Sequence, residues 1–180
     1  MIRALLFTFA LALSACSAHD APRATEGEVQ SLTRAFMAMG TEVDPEEAAR
    51  AARIAFDYPL RLRAQYEVTD PPLIHNAKVN AGTRPRGLCW HWADDMQARF
   101  QAEAFQTLDL HRAIANSDNM LIDHSTVIVS AKGEDWDEGI VTDPWRYGGR
   151  LFWSPTLEDK RYRWIPRQEV FEERRRREGL

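Results

Sequence analysis

The chain has 180 residues, 44% hydrophobic and 28% charged, which is enough for one ordinary domain with its own core. Its formal net charge is −4, and no basic face concentrates on one segment of the main body, so nucleic acid is excluded as a partner. Ala4 to Leu13 is the one long apolar run, and it falls well short of the roughly 20 residues that a bilayer span needs.

That run follows Arg3 and has the length of a secretion-signal core. It ends in Leu13-Ser14-Ala15-Cys16, which resembles the lipobox of bacterial lipoproteins, where a thiol after small residues receives diacylglycerol before cleavage. The resemblance implies removal of residues 1–15, a lipidated Cys16, and a stable hold on the bilayer through more than one acyl chain. Ser17 after the cysteine implies, by the same resemblance, the outer membrane, with the protein facing the periplasm. An ordinary secretion signal with an incidental cysteine is the other reading. Loss of Arg3 with the signal leaves 165 residues at a net charge of −5.

Residues 16–24 read as a tether, and 25–180 as a single α+β domain. Thr25 and Glu28 form a capping-box pair that opens a helix to about Met39, with Gly40 closing it. Asp44-Pro45-Glu46-Glu47 starts a second helix, to about Phe56, with Tyr58-Pro59 as its interruption or end and Leu60 to Tyr66 as a continuation of a turn or two. Pro71-Pro72 and residues 76–86 read as loop. A third helix begins near Cys89, with Cys89, Ala93, Met96 and Phe100 on one buried face. The period then changes to two. Strands are expected over 107–115, 124–131, 139–143, 151–153 and 161–165, followed by a last helix over 168–177. Helices first and strands later indicate a small antiparallel sheet with the helices packed on it. The run Arg174 to Arg177 reads as a solvated helix end, where cations suit the dipole, or less simply as a contact with anionic lipid.

There are two cysteines. If Cys16 carries lipid, Cys89 has no partner in the chain, although exported compartments favour paired thiols. A lone thiol there is either inert core or kept for its reactivity. Cys89 falls on the first turn of a helix, where free amides and the dipole favour a thiolate. A thiolate nucleophile needs a base, and the base needs an orienter. His124 and Asp143 are the candidates. A two-residue turn at Gly133-Glu134 places them directly across two strands, on one face; a longer loop relaxes that register by a residue or two.

Gly87-Leu88-Cys89-Trp90-His91-Trp92-Ala93 resembles the nucleophile signature of the transglutaminase-like, papain-like cysteine enzymes. His124-Ser125-Thr126-Val127-Ile128-Val129 is similar to the strand that carries that family's histidine, and Ile140-Val141-Thr142-Asp143-Pro144 to the one that carries its acid. The resemblance covers residues 80–145 or so. It implies a Cys89–His124–Asp143 triad acting through an acyl-enzyme. The family's upstream oxyanion residue has no recognisable counterpart here; Asn80 or Asn76 and the Cys89 amide are the candidate donors. Thr126 stands where the family often has tryptophan.

The chemistry calls for no cofactor and no metal. Cys89 and His91 are two apart on a helix and point to different sides, so they do not chelate one ion. His19, His75, His91 and His111 read as surface or loop residues. The six tryptophans read as core and cleft walls. The functional expectation is therefore a cysteine-dependent hydrolase tethered to the cell envelope, cleaving a peptide or amide bond, with acyl transfer second. Its partners are the bilayer, through Cys16, and a peptide, protein or cell-wall substrate. The alternative is a non-catalytic lipoprotein that binds a peptide or glycan in a Trp-rich groove.

Overall fold

A computed structural model describes residues 23–119 and 122–179. The expected signal, Cys16, His19 and most of the expected tether lie outside the described residues. Within them the fold is α+β, with helices α1 (Glu26–Met37), α2 (Pro45–Gln65), α3 (Pro72–Asn80), α4 (Cys89–Gln101) and α5 (Arg167–Glu178). Strands β1 (Leu108–Ala115), β2 (His124–Ala131), β3 (Ile140–Tyr147), β4 (Arg150–Pro155) and β5 (Ile165–Pro166) form one antiparallel sheet in the order β4-β3-β2-β1-β5. No helix among the described residues is long and apolar enough to cross a membrane.

The helix starts follow from their caps. Thr25 and Glu28 close both halves of a capping box on α1, and Asp44 accepts from the Glu47 amide at 2.8 Å with Pro45 behind it. Gly40 does not close α1, which ends at Ala38 in a helical conformation. Glu47 departs from a simple cap residue. Its buried carboxylate accepts from the Gln106 and Thr107 amides, both at 2.8 Å, and from the Thr107 hydroxyl at 2.7 Å. It thus fastens the start of α2 to the start of β1.

Two expected breaks are not breaks. Pro59 lies inside α2, which runs on to Gln65. Phe56, Pro59 and Leu62 are buried there, and burial of that face offsets the backbone bond a proline forfeits. Pro72 and residues 76–80, read as loop, belong to α3, with Pro72 at its permissive first turn. The strand expected over 161–165 shrinks to the two residues of β5.

The sheet carries two apolar clusters. The larger joins Leu32 and Phe36 of α1, Ala52 of α2, and Cys89, Trp92, Met96 and Phe100 of α4 to Val127 and Val129 of β2. The smaller joins Ala113, Ala115, Ile128, Val141 and Trp164. Val127 and Ile128 are neighbours on β2 yet fall in different clusters, which is the two-residue period of a strand buried on both faces.

Candidate active site

The nucleophile candidate is set by a short turn and a helix start. Gly87 has φ +129°, and a Cβ there would lie 2.3 Å from His75 Nε2. Only glycine admits both that backbone and the buried imidazole beside it. His75 donates from Nε2 to the Arg86 carbonyl at 2.8 Å. His91 Nδ1 accepts from the Gly87 and Leu88 amides at 3.1 and 3.2 Å, and the Trp92 indole donates to the Gly87 carbonyl at 3.0 Å. The turn before Cys89 is therefore pinned from three sides. His75 and His91 are buried parts of this frame, not surface residues. Burial first, then the Arg86 charge, lowers the pKa of His91, which suits a ring that must accept from two amides. His91 Nδ1 is thereby committed to the backbone. Among the described residues no cluster of three histidine, cysteine or acidic side chains could hold a metal ion.

Cys89 is a free thiol, 7% exposed, and donates to the Asp123 carbonyl at 3.6 Å. His124 comes next in the chain, at the start of β2. Its Nε2–H donates to Asp143 Oδ2 at 2.7 Å. A carboxylate only accepts, so the proton sits on Nε2 and Nδ1 is the basic nitrogen. Nδ1 is buried and has no hydrogen-bond partner, while Cys89 is the next group after Asp143 that stabilises the charged ring. The three side chains are brought together in the order Cys89, His124, Asp143.

The register differs from the expected one. β2 and β3 pair as Val127↔Thr142, Ile128↔Val141 and Val129↔Ile140. Continued toward His124, that ladder sets Thr126 opposite Asp143, so His124 and Asp143 are diagonal. The cause is the connection. Residues 132–139 include the 3-10 turn Trp136–Glu138 and do not form a two-residue hairpin. A shift of two residues preserves the face, and the pair still meets. Gly139 closes this connection against β2, where a Cβ would lie 2.6 Å from Ile128 Cγ2.

The electrostatics are those of buried, alternating charges. Burial alone would lower the pKa of His124. The Asp143 charge and hydrogen bond, and then Cys89, outweigh it and raise it to about 9. Burial alone would raise Asp143. His124 first and Arg146 next outweigh that and hold the carboxyl below its ordinary range. The imidazole packs against Trp145 at 4.6 Å, Tyr162 at 4.8 Å and Trp164 at 5.4 Å between ring centres. Trp145 belongs to the larger cluster and Trp164 to the smaller, so His124 sits where the two clusters meet.

Of the two oxyanion candidates, Asn76 is tied to this group. Its Oδ1 accepts from the Trp145 indole at 3.1 Å, which leaves its amino group as a donor. Asn80 is exposed at the end of α3. The helix start itself is open, because Leu88 offers no side-chain acceptor to the first amides of α4.

Several residues of the site were not singled out from the sequence: Arg146, Asp159 and Tyr162, besides His75 and His91. Arg146 donates from Nε to Asp143 Oδ2 at 3.0 Å and from its amide to Oδ1 at 3.2 Å. Its two terminal nitrogens reach Asp159 at 3.1 and 2.6 Å. In a regular strand, residues three apart face opposite ways. Here β3 is irregular between Asp143 and Tyr147, and Pro144, Trp145 and Arg146 stand against Leu151 alone. That irregularity turns Arg146 onto the Asp143 side, and nothing in the spacing signals it. The arginine run also has an inner member: Arg174 donates to Asp123 Oδ2 at 3.0 Å and the Ser117 carbonyl at 3.2 Å. Arg174 is thus a tether for the loop beside Cys89, whereas Arg176 and Arg177 pair with Glu173 on the helix surface. The chain matches no protein-family model, no curated protein and no solved structure.

Proposed function

We propose that this chain is a cysteine-dependent hydrolase of transglutaminase-like, papain-like type, held at the cell envelope by a lipid on Cys16 and acting on a peptide or other amide. One observation carries the reading: His124 is bound through Nε2 to a buried carboxylate, its Nδ1 has no hydrogen-bond partner, and the Cys89 thiol at the start of α4 is near enough to favour the charged ring. In this reading Cys89 gives its proton to His124 Nδ1, and the sulfur attacks the carbonyl carbon. The oxyanion is held by the Cys89 amide and by Asn76. The imidazolium returns the proton to the leaving amine as the carbon–nitrogen bond breaks. Water, deprotonated by His124, then hydrolyses the thioester and frees Cys89. Asp143 stabilises the imidazolium and fixes its tautomer. Trp90 and Ile122, both exposed, adjoin Cys89 and Asp123 in the chain and offer apolar contacts to a substrate beside the thiol.

The test is covalent. The wild-type protein should react with an iodoacetamide or acyl-electrophile probe at pH 6 faster than free cysteine does, with all label on Cys89. Cys89→Ser should fold and take no label there, and His124→Ala should slow the labelling of Cys89. The burial of Cys89 favours one other reading, a non-catalytic lipoprotein that binds a peptide or glycan. A thiol that reacts only in denaturant, at every pH from 6 to 9, makes that second reading the correct one. The anchor has its own test: a fatty-acid analogue should mark the wild type, and Cys16→Ala should lose the mark.

A further inference from the structure

The structure carries a buried chain of alternating charge beyond the three residues of the triad. It runs from His124 to Asp143, from Asp143 to Arg146, and from Arg146 to Asp159. Asp143, Arg146 and Asp159 are all nearly inaccessible. The Arg146 guanidinium lies 3.6 Å from the centre of the Phe152 ring and 4.8 Å from that of Tyr162, so its plane is fixed by stacking as well as by hydrogen bonds. Asp159 is itself fixed, by the Arg161 amide and the Trp164 indole, each at 3.0 Å. Tyr162 and Trp164 also touch the His124 ring.

We infer that Arg146 and Asp159 are the positioning pair of this site: Arg146 holds the Asp143 carboxylate toward His124, and Asp159 neutralises Arg146 so that Asp143 keeps its charge for the imidazole. The inference rests on the cysteine-hydrolase reading for its catalytic meaning, but not for its geometry. The physical case begins with a conflict. Asp143 Oδ2 receives both His124 and Arg146, so an unpaired guanidinium there would compete with the imidazolium for the same oxygen. A lone Arg146 would orient the acid and at the same time weaken it. The two-pronged pair with Asp159 removes that conflict, because it sets an equal negative charge on the far side of the guanidinium. A single hydrogen bond could orient Asp143 at less cost. The four-charge arrangement is what orients it without discharging it.

The groups that face His124 are Asp143 from β3, Cys89 from α4, and the Trp145, Tyr162 and Trp164 rings, with Arg146 behind Asp143. The test titrates the imidazole of His124 by NMR in the wild type, in Asp159→Asn and in Arg146→Gln. Asp159→Asn removes a negative charge and keeps an acceptor, so the midpoint should fall by about one pH unit. Arg146→Gln removes a positive charge and should move it the other way. A merely structural role predicts no opposed shifts. Asp159→Asn, which leaves Arg146 paired with Asp143, is the milder change and decides the matter if Arg146→Gln does not fold. If the midpoint stays where it is in a folded Asp159→Asn protein, the inference is wrong, even where Cys89 reacts as a nucleophile. If Cys89 is unreactive but the midpoint falls, the charge chain stands and the hydrolase reading falls.

Discussion

Asp143→Asn isolates what the carboxylate does for His124. In the native protein the imidazole stands at about 9 against its ordinary 6.5. Burial is the largest influence and acts downward. Asp143 acts upward through its charge and its hydrogen bond, and Cys89 adds less. At pH 7.5 a value of about 9 keeps about thirty imidazolium rings for each neutral one. Asparagine removes the charge while burial persists, so the ring should fall to 6.5 or lower, and fewer than about one ring in ten stays charged at pH 7.5. The population of charged His124 rings then drops about tenfold. Turnover should drop further, because an amide can hold the wrong tautomer, an effect that costs roughly four powers of ten in a serine triad. The assay is the NMR titration of His124 from pH 5 to 10, alongside the alkaline limb of turnover and a circular dichroism spectrum for the fold. Wild type should lose activity near pH 9 and the variant below about pH 7. A folded variant whose ring still titrates near 9 would refute the reasoning, since Cys89 and the aromatic wall would then set the charge of His124 without the acid.

The same ring makes stability depend on pH. The native imidazole holds a proton that the unfolded chain releases above about 6.5, so its contribution is complete below that pH and is lost as pH rises through about 9. The loss should be on the order of 3 kcal/mol, read by urea unfolding at pH 6 and 9.5, and the slope should flatten in Asp143→Asn. Asn76→Ala should cut turnover by about a hundredfold or more if its amide binds the oxyanion, with the His124 titration unmoved. A loss below about threefold would remove Asn76 from that role. Glu47→Gln should destabilise by about 2 kcal/mol in denaturant unfolding, because a charged acceptor of three donors becomes a neutral one. No loss there would mean that the tie between α2 and β1 contributes little.

Local physics made much of this chain readable by itself. Caps depend on residues within one turn, so Thr25 with Glu28 and Asp44 with Pro45 announced their helices. Periodicity is equally local, and the face Cys89, Ala93, Met96 and Phe100 is the buried face of α4. The β-branched run 124–131 is β2 with the same ends. Order along the chain also suggested the pairing of His124 with Asp143, since two adjacent strands with one parity put both on one face. Tertiary structure decided the rest. Pro59 stays helical because a buried face outweighs one missing bond, an energy that exists only once α2 is packed. Residues 72–80 become α3, whose Asn76 meets Trp145, 69 residues away in the chain. The buried places of His75 and His91 follow from the turn at Gly87, and that of Arg146 from an irregularity in β3 that reverses the facing of a residue three beyond Asp143. Facing within a strand is a local property until the strand is interrupted. After that it depends on how the neighbouring strand pairs, and pairing is set by the whole sheet.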